Sequence, residues 1–363
     1  MRVAVLGVGL IGGSVGLAAR ARLEAEVAGF DPEPQRAELG VELGVLDRAA
    51  TSVAEACAGA DVVFCAAPVG ALPRLAAAAL AASAAETVVT DVGSTKRDLV
   101  EGLSATEGAE RFICGHPIAG AETAGVENAR ADLFEGARWY LTPTEGSGGL
   151  HYDRLQRTIA DLGARPQAID AETHDRLMAT ISHLPHVLAD VLVSQAAEGL
   201  ATDGERIPEV GPSFRDTTRV AGANPAMWRD ILLANRDAVA GEIDSVVERL
   251  REAAALLRGA DGEAIEAWHR GAREDRRRLL DAGVACGPVT LLRVVVDNRP
   301  GTVAEIALAL GGAGVNIVDM ALDPAADMST GAVSLWIAGA EEAERAAGIV
   351  RELGHTATLA AET

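Results

Sequence analysis

The chain has 363 residues and a formal net charge of −21, with 49% hydrophobic and 3% aromatic residues. That length predicts two or three domains, with cores built from Ala, Val, Leu and Ile rather than from aromatic rings. The acidity excludes nucleic acid as a partner, because such binding needs clustered cations, but it leaves room for an anionic metabolite held by a few arginines.

Residues 1–148 alternate short β-branched runs with helical stretches. "RVAVLG", "EVAGFD", "DVVFCAAP", "TVVTDVGS" and "RFICGHP" read as buried parallel strands, and "LPRLAAAALAASAAE" as a crossover helix. This rhythm predicts an α/β domain with a doubly wound parallel sheet. The first strand runs into Gly7, Gly9 and Gly12, a G-x-G-x-x-G that opens a helix. Gly7 permits the tight turn, Gly9 lets the backbone approach a pyrophosphate, and Gly12 lets helix and strand pack closely. Leu10 and Ile11 lie at the helix N-terminus, where backbone N–H groups stabilise phosphate. The next strand ends on Asp31, placed to accept from a ribose 2′-hydroxyl and to repel a 2′-phosphate. A Rossmann domain binding NAD in preference to NADP is therefore expected.

Ligands of such sheets bind beyond the carboxyl ends of the strands. Pro68 in "CAAPVG" is expected to line the cofactor. Ser94 in "DVGSTK" is either a helix N-cap or a site residue. His116 in "CGHPIAG" ends the next strand and projects into the same crevice. Beside a nicotinamide, a neutral imidazole can take a hydroxyl proton while hydride leaves the same carbon, and a serine hydroxyl within reach can fix its tautomer. The competing reading of His116 is a hydrogen-bonded core histidine. Lys96 is the only lysine in the chain, which hints at a specific need for an ammonium there.

After a Gly-rich break, residues 149–285 read as helical, with one short strand candidate, "ARPQAID". "AETHDRLMATISHLPHVLADVLVSQAAEGL" should kink at Pro185. "NPAMWRDILLANRDAVAGEIDSVVERLREAAALLRG" reads as one long helix. Helices with this much apolar surface predict a homodimer. His183 and His186 flank the proline, either as structural histidines at a helix break or as substrate contacts. No third ligand accompanies them, and no metal is assigned. Arg215 and Arg219 sit four apart, where they can share a helix face. They suit a carboxylate or a surface salt bridge, and Trp228 suits core packing. Residues 289–360 run β-α-β-β-α-β, a ferredoxin-like unit. No apolar run reaches the length of a membrane span, and the N-terminus enters a strand directly, so a soluble cytoplasmic protein without a membrane partner is expected. The four scattered cysteines form no CxxC pair and predict no disulfide framework.

In "GVGLIGGS", "DVGSTK", "GHPIAGAETAGVENA", "LFEGARWYLTPT", "ISHLPHVLA" and "FRDTTRVAGANPAMWRDILLANR", taken in that order, residues 1–285 resemble the prephenate/arogenate dehydrogenases of tyrosine biosynthesis. The resemblance implies a Rossmann domain followed by a helical dimerisation domain, and oxidative decarboxylation of prephenate or arogenate with NAD. It implies His116 as base and Ser94 as its orienting partner and nicotinamide neighbour. Arg219 would grip the substrate carboxylate, His183 and His186 would line the active site, and Glu122 would stand at the pocket rim. One departure is Ala121, where the family often has Thr or another polar residue. The tail resembles an ACT domain through "VDNRPGTVAEIALALGGAGVNIVDM". This implies an amino-acid site near Asn298, Gly301 and Asn316, with tyrosine as the natural effector. Rival readings are a β-hydroxyacid dehydrogenase, which gives no reason for "GHPIAG" and "SHLPH" together, and a non-catalytic sensor of NAD and an amino acid.

Overall fold

The computed structural model describes residues 1–120, 123–201, 210–284, 289–297, 299, 301–315, 317–324 and 330–359. They form two compact units, Met1–Leu250 and Arg251–Thr363. The first begins with β1 (Arg2–Leu6), α1 (Leu10–Leu23), β2 (Glu26–Phe30), α2 (Pro34–Glu42), β3 (Arg48–Ala49), α3 (Val53–Cys57), β4 (Val62–Cys65), α4 (Leu72–Ala82), β5 (Val88–Asp91) and α5 (Arg97–Leu103). It continues with β6 (Phe112–Pro117), β7 (Arg138–Thr142), α6 (Gly149–Asp161) and β8 (Arg165–Ala168).

The strands make one sheet in the order β3-β2-β1-β4-β5-β6-β7-β8. All neighbours are parallel except β6 and β7. The first six strands have the order of a dinucleotide-binding sheet, whose topological switch lies between β1 and β4. Alternation explains why these strands read as unbroken apolar runs: Val3 and Val5 pack with Phe64, Val88, Ile113 and Trp139 on one face, and Ala4 and Leu6 pack with Val63, Val89 and Leu80 on the other. Each fully buried Val or Leu contributes roughly 1.5–3 kcal/mol, so a one-residue slip of β1 is strongly disfavoured.

Three features differ from the sequence expectation. First, the sheet does not end at residue 148: "ARPQAID" supplies β8, an edge strand paired with β7, and α6 precedes it. Second, the pattern from Pro225 to Gly259 is two helices, α10 (Pro225–Ala234) and α11 (Arg236–Gly259), broken at the buried Asn235. Third, the segment at Pro185 is one helical run. α7 (Ala171–Met178) passes through a π turn at Ala179–His183 into α8 (Leu184–Ala201). Pro185 brings no N–H to the ladder, and the widened turn lies directly before it. The stretch Ala171–Glu198 is long and apolar enough to cross a membrane, contrary to expectation. Its N-terminal part holds His174, Asp175 and His183, all buried, and their hydrogen bonds tie it to the sheet domain.

α9 (Pro212–Thr218) lies between α8 and α10. The second unit contains α12 (Gly262–Val284), β9 (Val289–Asp297), α13 (Thr302–Gly312), β10 (Ile317–Pro324), β11 (Thr330–Ala338), α14 (Ala340–Glu352) and β12 (Thr356–Leu359). Its antiparallel sheet has the order β10-β11-β9-β12, the ferredoxin-like arrangement expected. Leu292, Val294 and Val296 pack with Ile306, Leu310, Ala346 and Val350, while the alternate Val295 is exposed. Gly301 caps α13 at φ +93°, a conformation that favours glycine. Asn298 and Asn316 lie outside the described residues.

Candidate active site

The carboxyl edge of the sheet is built around two tight glycines. Gly7 has φ +108°, and a Cβ there would lie 2.1 Å from the Ala66 carbonyl oxygen. At Gly12 a Cβ would lie 2.0 Å from the Gly7 carbonyl oxygen. Gly9 faces open space and precedes α1, whose first N–H groups, from Leu10, Ile11 and Gly12, have no intrahelical acceptor. The combination of a sealed turn, an open approach at Gly9 and unspent donors fits a pyrophosphate. Asp31 is buried. Its Oδ2 accepts from Val8 N at 2.8 Å and its Oδ1 from Glu33 N at 3.0 Å, which ties the glycine loop to the end of β2. Each carboxylate oxygen keeps a further lone pair for a ribose hydroxyl. Pro68 precedes the 3₁₀ turn Val69–Ala71. A Cβ on Gly70 would lie 2.9 Å from Asp230 Oδ2, so α10 leans on this loop.

Farther along the edge, β5 and β6 pair only at Val89–Phe112 and Thr90–Ile113. Beyond that point side chains replace the ladder. Asp91 Oδ1 accepts from Gly115 N at 3.0 Å, and Oδ2 accepts from Gly93 N at 2.7 Å and from Lys96 Nζ at 2.5 Å. Lys96 Nζ also donates to the Gly115 carbonyl at 2.6 Å. Both side chains of this ion pair have zero exposure. A Cβ on Gly115 would come within 2.6 Å of the Asp91 carbonyl oxygen. Position 115 therefore has to be glycine, and His116 follows it, opposite Tyr140 of β7.

His116 is partly exposed. Its Nδ1 lies 2.9 Å from His174 Nε2, and His174 Nδ1 lies 2.8 Å from Asp175 Oδ1. Asp175 also accepts the backbone N–H groups of Lys96 at 2.8 Å and Arg97 at 2.9 Å, joining α7 to the start of α5. Asn235 Nδ2 donates to the Asp175 carbonyl at 2.7 Å and to His183 Nδ1 at 3.1 Å. His183 meets the Trp228 ring edge-on at 5.9 Å between centroids, and His186 stacks on it at 3.4 Å. Trp228, expected to be core, is thus a platform for both histidines.

The structure brings His116, His183 and His186 into one cluster and adds His174, Asn235 and the inward-turned Asp175. The sequence motifs single out neither His174 nor Asn235. The signal for His174 was present: residues 174–175, 178–179 and 183 are the buried stripe of the helix, and His-Asp on such a stripe is anomalous. Ser94 sits partly exposed between β5 and α5, and the partner of His116 Nδ1 is His174. Arg219 lies one residue past α9, in the 3₁₀ turn Arg219–Gly222, and so does not share an α-helix with Arg215. That turn packs on α8. Glu122 and Ala121 lie outside the described residues.

Three histidines of the cluster, His116, His183 and His186, are held below the usual imidazole range. Burial pushes the His116 pKa well below the usual imidazole value, reinforced by the Lys96 ammonium, His174 and His183. Burial lowers His183 to about 4 against the opposing pull of Asp175. His186 is lowered by burial, partly countered by its bond to the Ser182 carbonyl and by Asp190. The His183 shift sets a stability expectation. Between pH 6.5 and about 4 the unfolded chain protonates this group and the folded chain does not, so stability falls as the pH falls through that window. The expected loss by pH 4 is about 3 kcal/mol from this residue. Urea unfolding of wild type and His183→Gln at pH 7 and pH 4.5 measures it: the variant should show a smaller difference between the two pH values, and an equal difference would rule the assignment out.

Two consecutive family models cover most of this architecture. The nucleotide-binding domain of prephenate dehydrogenase matches residues 15–167, and its dimerization domain matches residues 170–270. The junction falls just after β8, where the sheet ends. Prephenate dehydrogenase of Bacillus subtilis (strain 168) is 32% identical over 324 residues, 88% of this chain and 87% of that one. The crystal structure of prephenate dehydrogenase from A. aeolicus in complex with hydroxyphenyl propionate and NAD+ superposes with a TM-score of 0.72 at 31% identity, covering 77% of this chain and 98% of that one. Synechocystis arogenate dehydrogenase superposes with a TM-score of 0.68 at 26% identity over 77% of this chain and all of that one, 100%. The two models together span most of the chain, the 32% identical relative covers 88% of it, and the chain belongs to the prephenate dehydrogenase family.

Proposed function

We propose that this protein is a prephenate dehydrogenase, oxidising and decarboxylating prephenate to 4-hydroxyphenylpyruvate with NAD as cofactor. The observation that carries the reading is a neutral imidazole, His116, fixed at the carboxyl edge of the same sheet that holds the Gly7–Gly12 turn and Asp31. NAD supplies the hydride acceptor. His116 takes the proton of the ring hydroxyl as the carbinol C–H electron pair departs. The carboxylate C–C bond then breaks, its electron pair passes through the ring to the oxygen, CO2 leaves, the ring becomes aromatic, and the oxygen takes back the proton held by His116. General-base help of this kind contributes roughly 10²–10⁴ in rate.

In this reading the N–H groups of Leu10, Ile11 and Gly12 hold the pyrophosphate, with Gly7 and Gly9 shaping the turn. Asp31 takes the ribose hydroxyls and favours NAD over NADP, and Pro68 and Ser94 border the nicotinamide. Arg219 pairs with the substrate carboxylate, with His183, His186 and Glu122 around the ring. The NAD-binding part corresponds to residues 1–148 extended by α6 and β8, the substrate and dimer part to the helices up to 285, and residues 289–360 to an ACT module. A cytoplasmic homodimer through the helical part is supported by the exposed Ile181, Leu188 and Val191 on a segment matched by a dimerization-domain model. Tyrosine binding near Asn298, Gly301 and Asn316 would bias two states of that dimer.

The test is absorbance at the NADH band on mixing protein and NAD+ with prephenate or with arogenate. Turnover of prephenate with NAD+ is expected. Turnover of arogenate alone would reassign the substrate, and no turnover of either would overturn the reading.

A further inference from the structure

We propose that His174 and Asp175 are positioning residues that hold His116 in a single tautomer, Nδ1–H, and so leave Nε2 as the bare lone pair that takes the substrate proton. The inference rests on the reading of His116 as the base, and goes beyond it by naming what selects the reactive nitrogen.

The argument follows the protons along three side chains. Asp175 accepts two backbone N–H groups, Lys96 N at Oδ1 and Arg97 N at Oδ2. A backbone amide can only donate, so both carboxylate oxygens act as acceptors. The 2.8 Å contact from His174 Nδ1 to Asp175 Oδ1 therefore has its proton on nitrogen. His174 is fully buried, with Tyr140 edge-on to its ring. In the neutral ring of His174 the proton given to Asp175 is the only one it has. A neutral imidazole protonated at Nδ1 presents only a lone pair at Nε2. The 2.9 Å contact between His174 Nε2 and His116 Nδ1 then needs its proton from His116. A neutral His116 carrying that proton has no proton on Nε2.

The opposite arrangement would disable the site. A proton on His174 Nε2 would donate to His116 Nδ1 and leave a neutral His116 with Nε2–H, which cannot act as a base at that nitrogen. The carboxylate–imidazole logic is that of hydrolase triads, where a buried carboxylate fixes the tautomer of the catalytic histidine and its amide replacement costs roughly 10⁴ in kcat. Here an additional imidazole lies between carboxylate and base. The same carboxylate also fastens α7 to the start of α5, so substitution of Asp175 would mix two effects. His174 is the cleaner position to change.

Three variants and one spectrum test the inference, all in the full-length enzyme with NAD+ bound. His174→Leu should lower kcat by about 100-fold or more, the range expected for loss of tautomer control, with KM for prephenate and the Kd for NAD+ changed little. His174→Gln should recover kcat to within roughly 10-fold of wild type, because its amide can accept from His116 Nδ1–H through oxygen and donate to Asp175 through nitrogen. A purely space-filling role would rank these two variants the other way. His116→Asn separates the inference from the reading it rests on. If His116→Asn is inactive while His174→Leu turns over like wild type, the base stands and the positioning role is overturned. If His116→Asn is fully active, the reading of the base itself fails. Should His174→Leu not fold, ¹⁵N NMR of the wild-type histidine rings, of which there are seven, decides alone. A single Nδ1–H form of His116 supports the proposal, and a proton on its Nε2 overturns it.

Discussion

His116→Asn is expected to bind NAD+ as the wild type does and to lose most of its turnover, with kcat reduced roughly 10²–10⁴-fold. Asparagine suits the experiment because its amide nitrogen sits near the place of Nδ1 and can still donate to His174 Nε2, so the local hydrogen bond survives while the base is removed. The glycine turn and Asp31 are untouched, and calorimetric titration with NAD+ should show an unchanged Kd. In the wild type, the lowered His116 pKa fixes the acid side of the pH profile. The neutral ring is the active form, and burial with the neighbouring Lys96 ammonium keeps it neutral below pH 6.5. kcat should therefore hold steady from pH 7 down past 6.5 and decline only below that. A variant that turns over within a few-fold of wild type would remove His116 from the chemistry.

Much of this fold is legible because its signals are local. β1, β4, β5 and β6 are buried on both faces, so they appear as short apolar runs, and the G-x-G-x-x-G can only be read as a strand-to-helix turn. β8 is different. It is an edge strand with Pro166 in it and mostly exposed side chains, so no apolar pattern marks it, and only its pairing with β7 makes it a strand. Asn235 breaks a helical pattern that stays continuous in sequence because its buried amide bonds to α7, 60 residues away. The candidate site divides the same way. Gly7, Gly12, Asp31 and His116 are announced by their neighbours in the chain. The bond between His116 and His174 joins positions 58 residues apart, and no spacing rule anticipates it.

Lys96 shows how a compositional anomaly becomes a physical prediction. The chain uses arginine everywhere else. At this one position a cation must fit, with zero side-chain exposure, between Asp91 and the Gly115 carbonyl. A compact ammonium fits that space; a guanidinium needs more room and more acceptors. Lys96→Met fills a similar volume and leaves the Asp91 carboxylate without its counter-ion. Breaking a buried pair from one side costs about 3–5 kcal/mol, which for a protein of this size lowers Tm by on the order of 10 °C. Asp91 keeps its bonds from Gly93 N and Gly115 N, so β6 should stay in register and the variant should fold. Its chemistry should change in a defined direction. The lost ammonium is one cause of the low His116 pKa, and the unpaired carboxylate favours the imidazolium, so the acid limb of kcat should move to higher pH. Adding Asp91→Asn should return part of that shift by removing the negative charge. A Lys96→Met enzyme that melts with the wild type and keeps its acid limb in place would show that the ion pair neither holds the strand ends together nor sets the charge state of the histidine beside it.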